Sequence, residues 1–446
     1  MDVANVTRAS ARGWAADLTP AHWRILAASF MGWIFDGFES FALFLVVPMV
    51  LKSLLTPDQA SMGAIWGGAA ISITLLGWGI GGLIGGIMAD YLGRKRMMML
   101  SVLAYALLSG LTAFSTSFWM FAALRFLTGL AMGSEWSTGV ALVAETWPDK
   151  ARAKGCGFLQ SGFGCGTLLA AGAWMVLQQF HPMGADTWRL MFVVGAIPAF
   201  FVLYIRRAVA ESDKWLASVR ERRWAATEGG TVSTQVKRPF TLAEIFREPE
   251  SRKRALLTFL LSLATTVGWW GVSSFLPGHM LQLAKAAGVA NPPLWGSSAA
   301  LVYTAGAVVA YLLAGFLADA WGRRAFLLFT YAGCLLSTPL TYLWASTPQS
   351  LMVCAAINGF FTLGCAYSWM AIYPVELFTS SVRSTAASFI FNASRLIAWV
   401  FPLMAAAMIQ TFGGLSAAAM TLGSIYLLGL IVPWFLPETV GRPLPD

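Results

Sequence analysis

A chain of 446 residues in which 57% are hydrophobic and only 11% charged lies outside the soluble globular range, where about a quarter of residues carry charge. Twenty Trp, thirty Phe and a mean hydropathy of +0.66 exceed what one soluble core buries, and read as a polytopic membrane protein. The net charge of +9 sits mainly in short loops between apolar runs, which marks topology rather than a nucleic-acid groove, so no nucleic-acid partner is expected.

Residues 1–24 form a polar tail, and the first apolar run, starting near Ile25, lacks a small-residue cleavage signature and reads as a retained span. Twelve runs can be placed in all, at 25–50, 62–89, 97–116, 119–144, 156–178, 189–205, 256–278, 295–317, 325–344, 350–373, 385–409 and 414–434. Each approaches the roughly 20 residues that cross hydrocarbon as helix, and none sustains the two-residue alternation of a barrel strand. The expectation is an all-α membrane protein of 12 transmembrane helices: a six-helix bundle over 25–205, a linker over 206–254, a second bundle over 255–436 and a tail over 437–446. The linker carries Arg220, Arg222, Arg223, Lys237 and Arg238, and its amphipathic stretch Trp215–Trp224 suits either the membrane surface or a flexible connection of fraying helices. Arg94, Lys95, Arg96, Lys150, Arg152, Lys154, Arg206, Arg207, Arg323, Arg324 and Arg383 all fall on one side if every run crosses. The positive-inside rule then places both termini in the cytoplasm, beneath the inner (plasma) membrane. The five cysteines show no metal-ligand spacing, so they read as apolar fillers and no cofactor is expected.

One stretch occurs twice. Gly86-Ile87-Met88-Ala89-Asp90-Tyr91-Leu92-Gly93-Arg94-Lys95 returns 229 residues later as Gly315-Phe316-Leu317-Ala318-Asp319-Ala320-Trp321-Gly322-Arg323-Arg324, each time as a polar hinge between two apolar runs. A second echo, Glu145 followed by Arg152, returns 231 residues later as Glu376 followed by Arg383. Glu145 with Arg152, Glu376 with Arg383, and the loop residues Asp90, Arg94, Asp319 and Arg323 are expected to latch the cytoplasmic face. The glycines of run 2, Gly77 to Gly86, read as surfaces for close helix packing and sliding.

An ionisable residue inside a span costs about 2.5 to 3.5 kcal/mol to insert, so it should face a partner or a wet cavity. Asp36 and Glu39 in run 1, Arg125 and Glu135 in run 4, and Arg395 in run 11 are such residues. Asp36 and Glu39 share a helix face, and crowded like charges make one of them able to carry a proton, with Arg125 favouring the ionised form afterwards. A static ion pair is the alternative. Arg395 can hold a carboxylate with Asn392 orienting it, or can serve as a structural partner to an acid on another helix. Gln160, Tyr303, Asn358, Tyr367 and the pair Trp269-Trp270 complete the expected substrate site.

The repeated G-x-x-x-D-x-x-G-R-K/R loop resembles the signature between helices 2 and 3, and 8 and 9, of the major facilitator superfamily. That resemblance implies two six-helix halves moving about a central site by alternating access. Arg125 through Gly133 with Ser134-Glu135-Trp136 is similar to helix 4 of the sialate and short-chain carboxylate proton symporters, with Ser134 in place of a usual glycine. Trp33-Ile34-Phe35-Asp36-Gly37-Phe38-Glu39 resembles an acidic element of carboxylate symporters and also the Asp-Gly-Phe-Asp segment of aromatic acid symporters. Asn392-x-x-Arg395 looks like the matching segment of carboxylate-transporting relatives. Leu436-Pro437-Glu438-Thr439 resembles the ending of sugar porters and organic-acid relatives. The resemblance implies a monomeric carrier without covalent chemistry. It would take up a small organic anion, foremost lactate or pyruvate, with a proton as co-transported ion. Sialic or aromatic acids come next; sugars and drugs suit Arg395 and the paired acids less well.

Overall fold

Lipid offers no hydrogen bonds to a backbone, so segments that cross it must satisfy their own amides. The computed structural model describes residues 13–221, 227–228, 231–232 and 238–445, and these are overwhelmingly helical. Helices 1 to 5 are Pro20–Leu54, Gly63–Leu92, Arg94–Thr112, Phe118–Met132 continued by Glu135–Thr146, and Asp149–Phe180. Helix 6 is Trp188–Val194 with Pro198–Ala208, and helix 7 runs from Pro249–Val272 to Leu276–Ala286. Helices 8 to 12 start at Pro292, Arg323, Pro348, Arg383 and Leu415.

Among the described residues nine helices are by themselves long and apolar enough to cross a membrane. Helices 3, 4 and 5 fall short for local reasons: the third opens on Arg94-Lys95-Arg96, the fourth is broken at Gly133-Ser134, and the fifth dilutes its apolar residues with Gly155, Gly157, Gln160, Gly162, Gly164, Gly166, Gln178 and Gln179. Together the twelve form two six-helix bundles, an all-α multi-spanning membrane fold.

The glycines of helix 2 split into two stripes. A Cβ on Gly77, Gly81 or Gly85 would strike Phe126, Leu130 or Ser134 of helix 4, whereas one on Gly79, Gly82 or Gly86 would strike Leu396, Asn392 or Ser388 of helix 11. Helix 2 therefore presses on its own bundle with one face and on the opposite bundle with the other. Helices 5 and 8 make the corresponding contact, where a Cβ on Gly157 would come 2.9 Å from the Tyr311 carbonyl oxygen and one on Gly315 2.5 Å from Lys154 Cα.

Both repeated loops turn on a glycine in the left-handed half of backbone space, Gly93 at φ +96° and Gly322 at φ +89°. Each turn is capped by a carboxylate from beyond the bundle. Glu211 accepts from the Arg94 and Lys95 amides at 3.1 Å each, and Glu438 from the Arg323 and Arg324 amides at 2.9 and 3.0 Å. Glu211 was not anticipated from the sequence, although the acidic-hydroxyl pairs Glu211-Ser212 and Glu438-Thr439 follow helices 6 and 12 alike. The linker corrects another expectation. Trp215, in the helix Asp213–Arg220, is buried and donates its Nε1 hydrogen to the Asp90 carbonyl oxygen at 2.7 Å, so it braces the loop rather than lying in lipid. Arg222, Arg223, Trp224 and Lys237 lie outside the described residues.

Candidate functional site

Between the bundles, helices 1, 2 and 5 face helices 7, 8, 10 and 11 around an opening with about 80 Å³ of room for the centre of a water-sized sphere. Its walls are aromatic, with Trp33, Trp78 and Phe163 on one side and Trp269, Trp270 and Tyr367 on the other. Polar atoms come sparingly, from Ser40, Thr74, Gln160, Thr266 and Arg395. A second, apolar cavity of about 220 Å³ adjoins it through Phe44, Ile71 and Trp270, and extends to Phe401 and Met408, the end of helix 11 remote from Arg383.

Arg395 is 6% exposed. It donates through Nη1 to the Phe391 carbonyl oxygen of the preceding turn, and its guanidinium lies 3.8 Å from the Phe391 ring centroid and 4.8 Å from that of Trp78. Among the described residues no carboxylate pairs with it. Gln160, whose Oε1 accepts from Trp136 Nε1 at 2.7 Å, reaches the same opening.

Three residues expected beside the substrate are elsewhere. Tyr303 donates to Ser273 Oγ at 2.6 Å and meets Thr362 Oγ1 at 2.8 Å, and Asn358 donates to Ser337 at 3.3 Å and accepts from Thr362 at 3.1 Å. Both complete a hydrogen-bonded network inside the second bundle. Asn392 lies against Gly82 at the helix 2 contact and donates to Ser388, its Oδ1 lacking a partner. Tyr303 and Asn358 take the nearest partners on neighbouring helices and Asn392 takes Ser388 one turn back on its own, and hydropathy along the chain does not reveal which.

The four intramembrane charges of the first bundle do not line the opening. They also divide. Glu39 is bound to Arg125 at 2.6 Å and accepts from Ser109 at 2.8 Å, while Arg125 is completed by Thr112 and Thr128 at 3.0 Å and by the Phe192 ring at 4.5 Å. Asp36 and Glu135 are wholly buried, and all four of their carboxyl oxygens lack a hydrogen-bond partner. Gly32 makes the space for the Glu135 carboxyl, since a Cβ there would overlap it. Glu135, Glu39 and Arg395 are the charged groups near enough to act on Asp36.

At the loop end the two bundles are locked by buried ions. Arg94 bridges Asp90 at 3.2 Å and Glu145 at 3.0 Å, and Glu145 crosses to Arg383 of the other bundle at 2.8 Å. Arg323 bridges Asp319 and Glu376 at 2.7 Å each, and Glu376 crosses to Arg152 at 3.5 Å. The eight residues expected at this latch are together, but the pairing is exchanged: each glutamate meets the arginine of the opposite repeat rather than the one seven residues along its own chain. Among the described residues no cluster of His, Cys, Asp or Glu is arranged for a metal.

Two pseudo-symmetric six-helix bundles around a central cavity, closed at one end by repeated charged loops, define a transporter of the major facilitator superfamily. The chain belongs to the sugar (and other) transporter family, whose model matches residues 41–446. It is 25% identical over 435 residues to the sialic acid transporter NanX of Escherichia coli, covering 97% of this chain and 98% of the relative. It is 28% identical over 405 residues to the cis,cis-muconate transport protein of Acinetobacter baylyi, covering 89% and 91%. Among solved structures, the proton:xylose symporter XylE bound to 6-bromo-6-deoxy-D-glucose superimposes with a TM-score of 0.74 at 18% identity, over 95% of this chain and 97% of that one. Carriers of this superfamily translocate solutes and are not enzymes.

Proposed function

We propose that this protein is a proton-coupled symporter that takes up a small organic monocarboxylate of the lactate and pyruvate class. It works as a monomer in the inner membrane with both termini cytoplasmic. The observation that carries the reading is Arg395, a buried cation at the wall of the central opening with no carboxylate of its own. A guanidinium left unpaired in so apolar a place is a standing site for a substrate carboxylate. Asp36, with Glu135 beside it, is the proton carrier, because no donor or cation is in contact to fix its charge, whereas Glu39 is committed to Arg125. The loop-end ion pairs hold the cytoplasmic side shut while the opening faces outward. Loading both solutes lets the bundles (25–205 and 255–436, joined by 206–254) rock past one another and release inward.

The test is uptake into proteoliposomes under an imposed pH gradient, with lactate, pyruvate, sialate, benzoate and glucose as competitors. Pyruvate or lactate should compete while glucose does not. Arg395→Ala should abolish most carboxylate binding, and unchanged affinity in that variant would sink the anchor role. A second reading, an aromatic or unsaturated acid, draws on the Trp-rich wall and on relatives named for cis,cis-muconate and niacin transport; benzoate outcompeting lactate would select it.

A further inference from the structure

Between the opening and the charged latch lies a contact that joins the two bundles through aromatic rings alone. Trp136 of helix 4 and Phe391 of helix 11 are stacked, with centroids 3.7 Å apart and planes inclined at 18°, and each is 1% exposed. Phe391 lines the opening and Trp136 lies behind it. Arg383 precedes Phe391 by eight residues on helix 11, and Glu145 follows Trp136 by nine on helix 4. At 1.5 Å per residue the stack therefore stands roughly 12 to 14 Å from the ion-pair layer, on the cavity side of it.

We infer that the Trp136–Phe391 stack is the floor of the binding cavity and the element that couples substrate binding to proton binding. This rests on the symport reading above and adds to it two positioning residues. On the substrate side, Phe391 holds Arg395 twice, through its carbonyl oxygen and through its ring 3.8 Å beneath the guanidinium. A carboxylate that draws Arg395 toward itself must loosen both. On the proton side, Trp136 follows Glu135 directly in the chain. Trp33, three residues before Asp36, contacts Trp136 and Phe391 with centroids 6.1 and 5.9 Å apart. Trp136 Nε1 is tethered to Gln160, itself at the cavity wall, so the indole answers to the same occupant. The rings thus touch the neighbours of every group proposed to bind either solute. Parting the bundles on the loop side requires this stack to open, and until it opens it keeps water and protons from passing beneath an empty site.

Phe391→Leu removes the ring at similar bulk, Phe391→Tyr keeps the stack, and Trp136→Leu attacks it from the other helix. In proteoliposomes, both leucine variants should lose proton-driven accumulation by about tenfold, as for loss of a stacked pair and its cation contact. Equal-concentration counterflow of labelled acid should fall too, through weaker acid binding, but by several-fold less than accumulation does, and a proton leak without substrate should appear; Phe391→Tyr should accumulate normally. Wild-type accumulation in both leucine variants would overturn the inference. So would parallel loss of accumulation and counterflow in Phe391→Leu and Phe391→Tyr alike, which marks a merely structural role. Failure of the symport reading looks different, because wild type itself would then show no gradient-driven uptake of any acid in the panel.

Discussion

The two copies of the charged loop begin from nearly the same sequence and end in different chemistry. Asp319 reaches across to the ammonium of Lys154, and its side chain stays 23% exposed. Asp90 is sealed completely and crosses instead to helix 11, where it accepts from the Ser384 and Thr385 amides at 3.3 and 2.8 Å and from the Thr385 hydroxyl at 2.6 Å. The residue that corresponds to Lys154 under the 231-residue repeat is Thr385, so one half locks with an ion pair and the other with a helix N-terminus. A duplicated motif therefore specifies the hinge, while the partner across the interface specifies how strongly, and under what conditions, the hinge is held.

The sharpest way to probe this asymmetry is to remove each crossing arginine. Arg383 is fully buried and its loss leaves Glu145 with Arg94 and the Ser380 hydroxyl, whereas Arg152 lies 3.5 Å from Glu376 and leaves that carboxylate well held by Arg323. Breaking a buried pair costs about 3 kcal/mol, so Arg383→Ala should favour the opened latch by on the order of a hundredfold, and Arg152→Ala by no more than about tenfold. Cys156, buried on helix 5 beside the latch, serves as reporter when it is the sole cysteine retained: its alkylation rate should rise in that order. Equal rates in the two variants would mean that the halves are locked equally.

A gentler comparison uses salt. Lys154→Met should weaken closure by about 1 kcal/mol or less, and the difference from wild type should shrink as ionic strength rises, because that pair is reached by solvent. Thr385→Val removes one hydroxyl donor from a sealed carboxylate that keeps its two amide partners. Its effect should be about 1 kcal/mol and indifferent to salt. Salt-dependent alkylation of Cys156 in both variants would erase the proposed distinction.

What the sequence discloses and what it conceals follow the same division between hinge and partner. Hydropathy marks the helices because lipid enforces it residue by residue, and even helices 3 to 5, which fall short alone, are bounded by legible charges. Arg395 stands out because a cation in a span has no inexpensive hiding place. Tyr303 and Asn358 carry a weaker signal: their polarity demands a partner, and Thr362 and Ser337 supply it within one bundle, a contact that periodicity cannot foresee. The exchange of Glu145 to Arg383 and Glu376 to Arg152 is hidden for a related reason, since a repeat offers each acid two equivalent arginines and only the docking of the bundles chooses. Glu39 and Asp36, indistinguishable as acids three residues apart, are separated by Arg125 and Ser109 on other helices.

The smallest expected effect concerns the carboxylates that cap the two turns. Burial works against ionisation of Glu438, but the amides of Arg323, Arg324, Val440 and Thr439 more than offset it and hold the carboxyl below its ordinary value. A group whose folded value is depressed stabilises the native state above its unfolded value, near 4.5, and that contribution fades as pH falls through the folded value. Glu438 is partly open to solvent, so Glu438→Gln should cost under about 1 kcal/mol at pH 7. Its melting temperature in detergent should lie below wild type by a constant margin from pH 7 to about 5, then converge with it on further acidification. Glu211→Gln tests the other turn at pH 7, where the Arg94 and Lys95 amides would lose the same kind of acceptor. Because these caps touch only their own hinge and no residue across the interface except through it, both variants should melt earlier by similar amounts while leaving Cys156 alkylation near the wild-type rate. Unequal melting shifts would extend the asymmetry of the latch into the hinges themselves.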